Sequence, residues 1–502
     1  MNRRPILLTA SLLASGLLLA GCTAVAATGA AGTASGTDGV EQPVTLTAAY
    51  DLSPSAVLGE NADYTTVGTD EWSEAEAIDV MLSGSGLSGS AEGVSASGGV
   101  VTIAEAGVYR LSGALAGQLR IEAPDDALVV LILDGVDVSN DSGAAIEVVS
   151  ADDVALHLAS GSTNSVSDAA SYADGAEANA AIYADTDLTI SGDGSLDVTG
   201  NGNDGIASTD DLVILGGSVS VTAADDALRG KDALVVEGGS LVLEAGGDGM
   251  KSDGDEGDAS ADIDWTKGYI RIGGGSVSVT AGDDGLQAFT DIAIDGGDTI
   301  VSAVDDGVKG EVIVAIGPAD DSGDDATGPT VTVTSSTEGI EAANIGISGG
   351  VVEVTASDDG INASGNAELQ ALIAGTEYVA GDREADTGER LEITGGTVTV
   401  RAAFDGLDSN GSVTISGGTV DITSAANGGD GPIDGNGSVE VAEGIVTANG
   451  SAYDPATAGG MGGRGGAGGP GGMPGAGGAP GEMPDGGAGG GAPPQDGRSA
   501  QG

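Results

Sequence analysis

The sequence predicts an all-β chain wound as a single-stranded parallel β-helix with coils of about 22 residues. Three observations predict it. Gly-Gly recurs at Gly216-Gly217, Gly238-Gly239, Gly274-Gly275, Gly296-Gly297, Gly349-Gly350, Gly395-Gly396 and Gly417-Gly418. Short segments of alternating apolar residues flank each pair, and an acidic turn follows, as in Asp225-Asp226-Ala227, Asp283-Asp284-Gly285 and Asp305-Asp306-Gly307. Repetition at a fixed period marks stacked supersecondary units, each burying its apolar side against its neighbours.

Taken in chain order, residues 1–22 read as an export signal: Arg3 and Arg4, an apolar run from Ile6 to Leu19, then Leu19-Ala20-Gly21-Cys22. The run is too short for a transmembrane helix. Cys22 is the only cysteine, so an internal disulfide is excluded. Its place directly after Leu-Ala-Gly resembles the lipobox of bacterial lipoproteins, in which that cysteine is diacylated. The resemblance implies a chain anchored by lipid at the extracellular face of a bacterial membrane, with no other membrane contact. Residues 23–75 read as a flexible tether and acidic lead-in, rich in Ala, Gly, Thr and Ser up to about residue 45. Residues 456–502 are rich in Gly, Pro and Ala without apolar periodicity; such a tail cannot offset its ordering entropy and is expected to be disordered. Residues 76–455 between them form one solenoid domain.

Within that domain apolar residues fall at i and i+2, the period that points side chains to one side of a strand. Leu212/Ile214 is followed after Gly-Gly by Val219/Val221, Leu234/Val236 by Leu241/Leu243, Ile270/Ile272 by Val277/Val279, and Ile345/Ile347 by Val352/Val354. A third apolar position follows each acidic turn: Leu228, Met250, Leu286, Val308, Ile340, Ile361 and Leu407. Three short strands per repeat make one coil. Less regular patterns upstream, at Ile103–Ser112, Leu128–Leu133, Ala145–Val149 and Leu188–Val198, supply the first coils and a cap over the N-terminal end. Residues 253–267, 315–327 and 365–389 read as loops thrown out of regular coils. A β-propeller is the rival, but its blades need about 40 residues or more and usually more aromatic residues than the 2% here.

A net charge of −63 with only 15 Lys+Arg excludes a general nucleic-acid surface. Such acidity serves either solvation or the binding of hard cations, which take oxygen ligands. In a β-helix, equivalent residues stack about 4.8 Å apart. Carboxylates at that spacing repel by about 1 kcal/mol in water and about 3.5 kcal/mol at an effective dielectric of 20. Bound Ca²⁺ would convert the repulsion into coordination. Asp-Gly is also good turn chemistry, which accounts for one Asp per turn but not for two. The candidate metal ligands are therefore Asp225, Asp226, Asp248, Asp283, Asp284, Asp305, Asp306, Asp358, Asp359 and Asp405. The loop from Asp253 to Asp258, with Asp262 and Asp264, is a second candidate without EF-hand spacing. A further row, one residue beyond the third apolar position, holds Arg229, Lys251 and Lys309. These either balance neighbouring Asp residues or hold anionic sugar groups beside Ca²⁺.

Ala106-Gly107-Val108-Tyr109-Arg110-Leu111-Ser112-Gly113, Leu133-Asp134-Gly135-Val136, the repeated Ile-x-Gly-Gly and Asp-Asp-Gly units, and the Gly/Met/Pro tail together resemble a family of secreted bacterial carbohydrate-binding β-helix proteins. The resemblance covers about residues 95–455 and implies a right-handed helix like that of polysaccharide lyases. It also implies Ca²⁺ on the turn aspartates, binding of cellulose and pectin-like polysaccharides, and no established catalysis. Ala227 in place of the turn glycine and Glu338-Gly339 in place of Asp-Asp-Gly depart from the pattern and put metal at those coils in question. A lyase on the same fold is the enzymatic alternative, with Ca²⁺ acidifying a uronate proton and a basic residue removing it. Against it, the sole histidine, His157, lies in a strand-like Leu156-His157-Leu158, and a repeated ladder singles out no acid pair for hydrolysis. A structural surface protein is the third reading. With Trp72 and Trp265 as the only tryptophans, stacking platforms for neutral sugars are scarce, so the expectation is non-catalytic, Ca²⁺-dependent binding of acidic, pectin-like polysaccharide, with cellulose kept by the resemblance.

Overall fold

The computed structural model describes residues 51–254, 263–319, 328–365, 386–425 and 431–454. Among them the chain is nearly all strand, and the strands from Ile78 to Ala452 join one continuous, mostly parallel sheet. Each coil contributes three segments, so the sheet is organised as three ribbons running along a solenoid. The first ribbon stacks Leu212, Leu234, Ile270, Ile292, Val314, Ile345, Leu391 and Val413 in register. The second stacks Val219, Leu241, Val277, Thr299, Val331, Val352, Val398 and Val420. The third stacks Ile206, Leu228, Met250, Leu286, Val308, Ile340, Ile361 and Leu407. Apart from Thr299, these inward residues belong to one core cluster from Val80 to Val446, almost wholly excluded from solvent. The period-2 pattern therefore does what it predicts, placing the apolar residues of the three rows inside.

The Gly-Gly corners join the first ribbon to the second. The second glycine of each pair is left-handed, with φ between 74° (Gly297) and 100° (Gly217). A side chain there meets backbone as well: a Cβ on Gly239 would lie 2.8 Å from the Gly217 carbonyl oxygen of the preceding coil. Conformation and close coil stacking both require glycine.

Both ends are closed by antiparallel pairs. At the N-terminal end Val94–Ser97 pairs with Val100–Ile103, and Gly86–Leu87 turns back on Ile78–Gly84. At the other end Ser451–Ala452 folds onto Val446–Ala448. The expected loop at 315–327 begins later, because Ala315 and Ile316 complete the strand Val308–Ile316. Residues 255–262, 320–327 and 366–385, the bulk of the three expected insertions, lie outside the described residues, as do the export segment, Cys22 and the tail from 455. No helix of the described residues is long and apolar enough to cross a membrane.

Residues 51–75, expected only as an acidic lead-in, pack on the coils. This segment is a strap laid along the outer side of the first ribbon, running against the coil order. Leu52 and Val57, the latter in the short helix Pro54–Leu58, pack on Val312, Ile313 and Ala315. Leu58 and Tyr64 pack on Val213, Val235 and Tyr269; Val67 and Trp72 pack on Val108, Val130, Ile132 and Ala155. The Thr65 N–H donates to Asp211 Oδ2 at 2.8 Å and the Val67 N–H to Thr189 Oγ1 at 3.0 Å. The physical reason lies in the ribbon itself. Leu212-Val213-Ile214 and Leu234-Val235-Val236 are continuous apolar runs, so their outward residues also need cover.

Candidate functional site

The acidic turns lie between the second and third ribbons, and the two acids of each pair play different parts. The second acid points into the stack. The backbone N–H of Asp248 donates to Asp226 Oδ1 at 2.8 Å, that of Asp284 to Asp248 Oδ1 at 2.9 Å, and that of Asp306 to Asp284 Oδ1 at 2.8 Å. Asp405 does the same to Asp359 Oδ1 at 2.7 Å, and Asp405 Oδ1 accepts from Gly431. Each carboxylate thus caps the turn of the following coil, and Asp226, Asp248, Asp284 and Asp306 are buried. The first acids, Asp225, Asp283 and Asp305, are exposed, and Asp358 is half-buried. Doubling of the aspartate therefore gives a buried structural ladder and an outer row of solvated carboxylates beside it.

The turn glycine explains how the ladder closes so tightly. A Cβ on Gly249 would fall 2.1 Å from Val279 Cγ1, and one on Gly285 would fall 2.2 Å from Val301 Cγ1. Ala227 does not break the ladder, since the Asp248–Asp226 bond is intact there.

Burial works against the charge of the ladder. It pushes Asp226 and Asp284 up to about 6, Asp204 and Asp405 up to about 7, and Asp306 up to about 8. Glu338, which takes the ladder position in its coil, is raised to about 7, again chiefly by burial and then by Glu341. Basic side chains offset part of the remainder. Lys251 Nζ lies 2.9 Å from Asp248 Oδ2 and 3.9 Å from Asp226 Oδ2. Lys309 Nζ lies 2.6 Å from Asp306 Oδ2 and 3.3 Å from Glu341 Oε2. Arg229 pairs with Asp253 and approaches Asp204 Oδ2 at 3.9 Å. Sequence reasoning allowed these three to hold a sugar anion or to balance neighbouring acids. The structure sets each of them on carboxylates of the chain itself, because the stacked register puts them directly over the ladder.

Three groups of carboxylates bring ligand atoms within 4.8 Å of one another: Asp283, Asp284 and Asp305; Asp306, Glu338 and Glu341; and Asp405, Asp408 and Asp434. The first group unites three sequence-predicted residues and makes no ion pair among the described residues. Its donors are all hard oxygens, the donor set that suits Ca²⁺. Asp225, Asp226, Asp248, Asp358 and Asp359 are in none of these groups. Sequence reasoning missed Asp204, although Asn203-Asp204-Gly205 carries the turn signal, and missed Asp434, although Ile433-Asp434-Gly435-Asn436-Gly437 repeats Leu407-Asp408-Ser409-Asn410-Gly411 and Ile433 bridges Leu407. The candidate loop at 253–264 is described only at its edges: Asp253 is taken by Arg229, and Asp264 Oδ1 caps the Thr266 turn. A separate cavity of about 500 Å³ opens beneath the strap, lined by Asp63, Asp152, Asp187, Asp211, Lys267 and Tyr269. None of the predicted ligands lines it.

The aromatic side chains are also committed. Trp72 meets His157 edge-on at 5.0 Å, His157 Nδ1 lies 3.0 Å from Ser191 Oγ, and Trp265 stacks on Phe289 at 5.5 Å. Burial lowers the pKa of His157. Its contacts are those of a packed strand residue.

These features can be set beside known proteins. A solved structure described as the polysaccharide lyase-like protein from C. thermocellum, a gadolinium derivative, is 32% identical, covers 48% of this chain and 95% of its own, and has a TM-score of 0.44. A carbohydrate-binding domain-containing protein of Acetivibrio thermocellus is 38% identical over 209 residues, 41% of this chain and 71% of that one. The family model for carbohydrate-binding domain-containing proteins matches residues 97–385, more than half of the sequence and most of the coils just described. The chain belongs to the carbohydrate-binding domain-containing protein family.

Proposed function

We propose that the protein is a non-catalytic, calcium-dependent binder of acidic, pectin-like polysaccharide. In this reading it is held by a diacylated Cys22 at the outer face of a bacterial membrane and is wound as a right-handed helix. The observation that carries the reading is the outer row of exposed carboxylates beside a buried ladder that is already hydrogen-bonded. At Asp283, Asp284 and Asp305 three oxygens converge within 4.8 Å with no ion pair among the described residues, and the Lys309 ammonium of the next coil acts on Asp284 only at longer range. These residues would hold Ca²⁺, with coordination positions left toward solvent for the carboxylates of a uronate polymer. Without such an ion, a chain of net charge −63 would repel a polyanion. Family membership supports a carbohydrate as partner, and the lack of exposed tryptophan favours charged over neutral glycans.

The test is co-sedimentation of the 23–502 chain with insoluble polygalacturonate, in calcium and in EDTA. Retention in calcium alone is expected, and it should be lost in the combined Asp283→Asn and Asp305→Asn variant. Equal retention in EDTA, or none in either buffer, would refute the calcium-bridge reading. Release of unsaturated uronate products during the incubation would identify a lyase instead.

A further inference from the structure

The coil after the Asp283 group departs from the repeat in two ways: Glu338 replaces the ladder aspartate, and Glu341 replaces the basic residue or glutamine of the preceding coils. Glu341 stacks in register on Lys309, and Asn362 stacks on Glu341. Asp306, Glu338 and Glu341 each present an oxygen within 4.8 Å of the others. Into this triad reaches the ammonium of Lys309, 2.6 Å from Asp306 Oδ2 and 3.3 Å from Glu341 Oε2. Asn362 closes the other side: its Nδ2 donates to Glu338 Oε2 at 2.8 Å. The amide oxygen of the same residue, which is only 7% exposed, has no hydrogen-bond partner. Three converging carboxylate oxygens, with a buried and unsatisfied amide oxygen on the residue beside them, are the hard donors a divalent cation takes, and among the described residues the cation that reaches the triad is the Lys309 ammonium.

We propose that this triad is a divalent-cation seat occupied by the chain's own Lys309 ammonium, so that part of the carboxylate repulsion in this coil is offset without metal. The inference builds on the calcium reading of the turns and adds a rule for which coils need the ion. The register makes the comparison direct. Gln287 occupies the position of Lys309 one coil earlier, where the Asp283 group makes no ion pair among the described residues and Asp284 feels the Lys309 charge only at longer range; Lys251 occupies it one coil before that, over Asp248 and Asp226. An ammonium on a short tether is always present at the seat, so the coil stays closed whatever the calcium concentration. A coil with glutamine there has no such substitute and takes the ion from solution. The same tether explains why Lys309 is unavailable to a bound polymer.

Calcium titration by calorimetry of the wild-type 23–502 chain and of Lys309→Met tests this, with folding monitored by circular dichroism. Lys309→Met is expected to bind one more Ca²⁺ per chain than wild type, and adding Glu338→Gln should return the count to the wild-type value. Lys309→Arg, which keeps the charge, should also keep the wild-type count. If Lys309→Met unfolds in EDTA, excess calcium should restore its spectrum. A folded Lys309→Met chain with the wild-type count, or one that stays unfolded in calcium, overturns the proposal. A wild-type chain that binds no calcium would defeat the calcium-bridge function and still leave the added site of Lys309→Met to be counted.

Discussion

At the scale of single residues, the acidic repeat is readable as a pattern, but its division of labour depends on direction. Two adjacent aspartates look equivalent in the sequence; only the stacked turn sends one carboxylate along the axis to the next N–H and the other into water. Asp284→Asn should separate the two roles. An asparagine oxygen still accepts from the Asp306 N–H, so the melting temperature in EDTA should hold or rise, while the stabilisation by calcium should shrink; scanning calorimetry with and without calcium reads both. The departure at Ala227 has a local explanation. In the neighbouring coils the turn glycine faces the Cγ1 of a valine: Val221 for Gly205, Val279 for Gly249 and Val301 for Gly285. The register places Leu243 opposite Ala227, and leucine carries no Cγ branch on its β-carbon. Leu243→Val should therefore cost about 1–3 kcal/mol through overpacking, and Ala227→Gly should relieve most of it. A double-mutant cycle by urea unfolding that shows no coupling would reject this pairing.

At the scale of elements, the three ribbons follow from a period of two and a repeat of about 22 residues, and the inward rows lie where the sequence puts them. The strap was not legible. Residues 51–75 carry no repeat and little periodicity, and their partners are the outward residues of strands whose inward residues alone had been counted. Val213, Val235 and Ile132 are buried because Leu58, Tyr64 and Trp72 cover that side. A parallel strand that is apolar on both sides announces a cover, though not which segment supplies it. Val67→Asp would bury a charge beneath the strap and should detach it locally. Limited proteolysis should then cut near Thr65–Ser73 while the far-ultraviolet spectrum of the coils stays unchanged. Resistance equal to wild type would show that the strap does not depend on this contact.

At the scale of the whole molecule, burial of the acidic ladder makes stability depend on pH in a defined sense. Asp226, Asp284, Asp405, Asp204 and Asp306 have folded values raised to between about 6 and about 8, above the ordinary carboxylate value of 3.8. The folded state therefore binds more protons than the unfolded state between those limits, and stability falls as pH rises through them. In EDTA the melting temperature should be lower at pH 8 than at pH 5, and calcium should recover more of it at pH 8, where the competing protons have left. A melting temperature that rises from pH 5 to pH 8 in EDTA would contradict the burial of these groups. The coil length, the three ribbons, the acidic turn and the family resemblance were all determined by the sequence itself, because each rests on local periodicity or on residues adjacent in the chain. Tertiary structure alone decided which carboxylate of each pair is buried, that Arg229, Lys251 and Lys309 are spent on the chain's own acids, that Asp434 joins Asp405 and Asp408, and that residues 51–75 lie along the coils. Each of these joins groups more than about twenty residues apart in the chain, or requires a side chain's direction, and neither is encoded by periodicity along one strand.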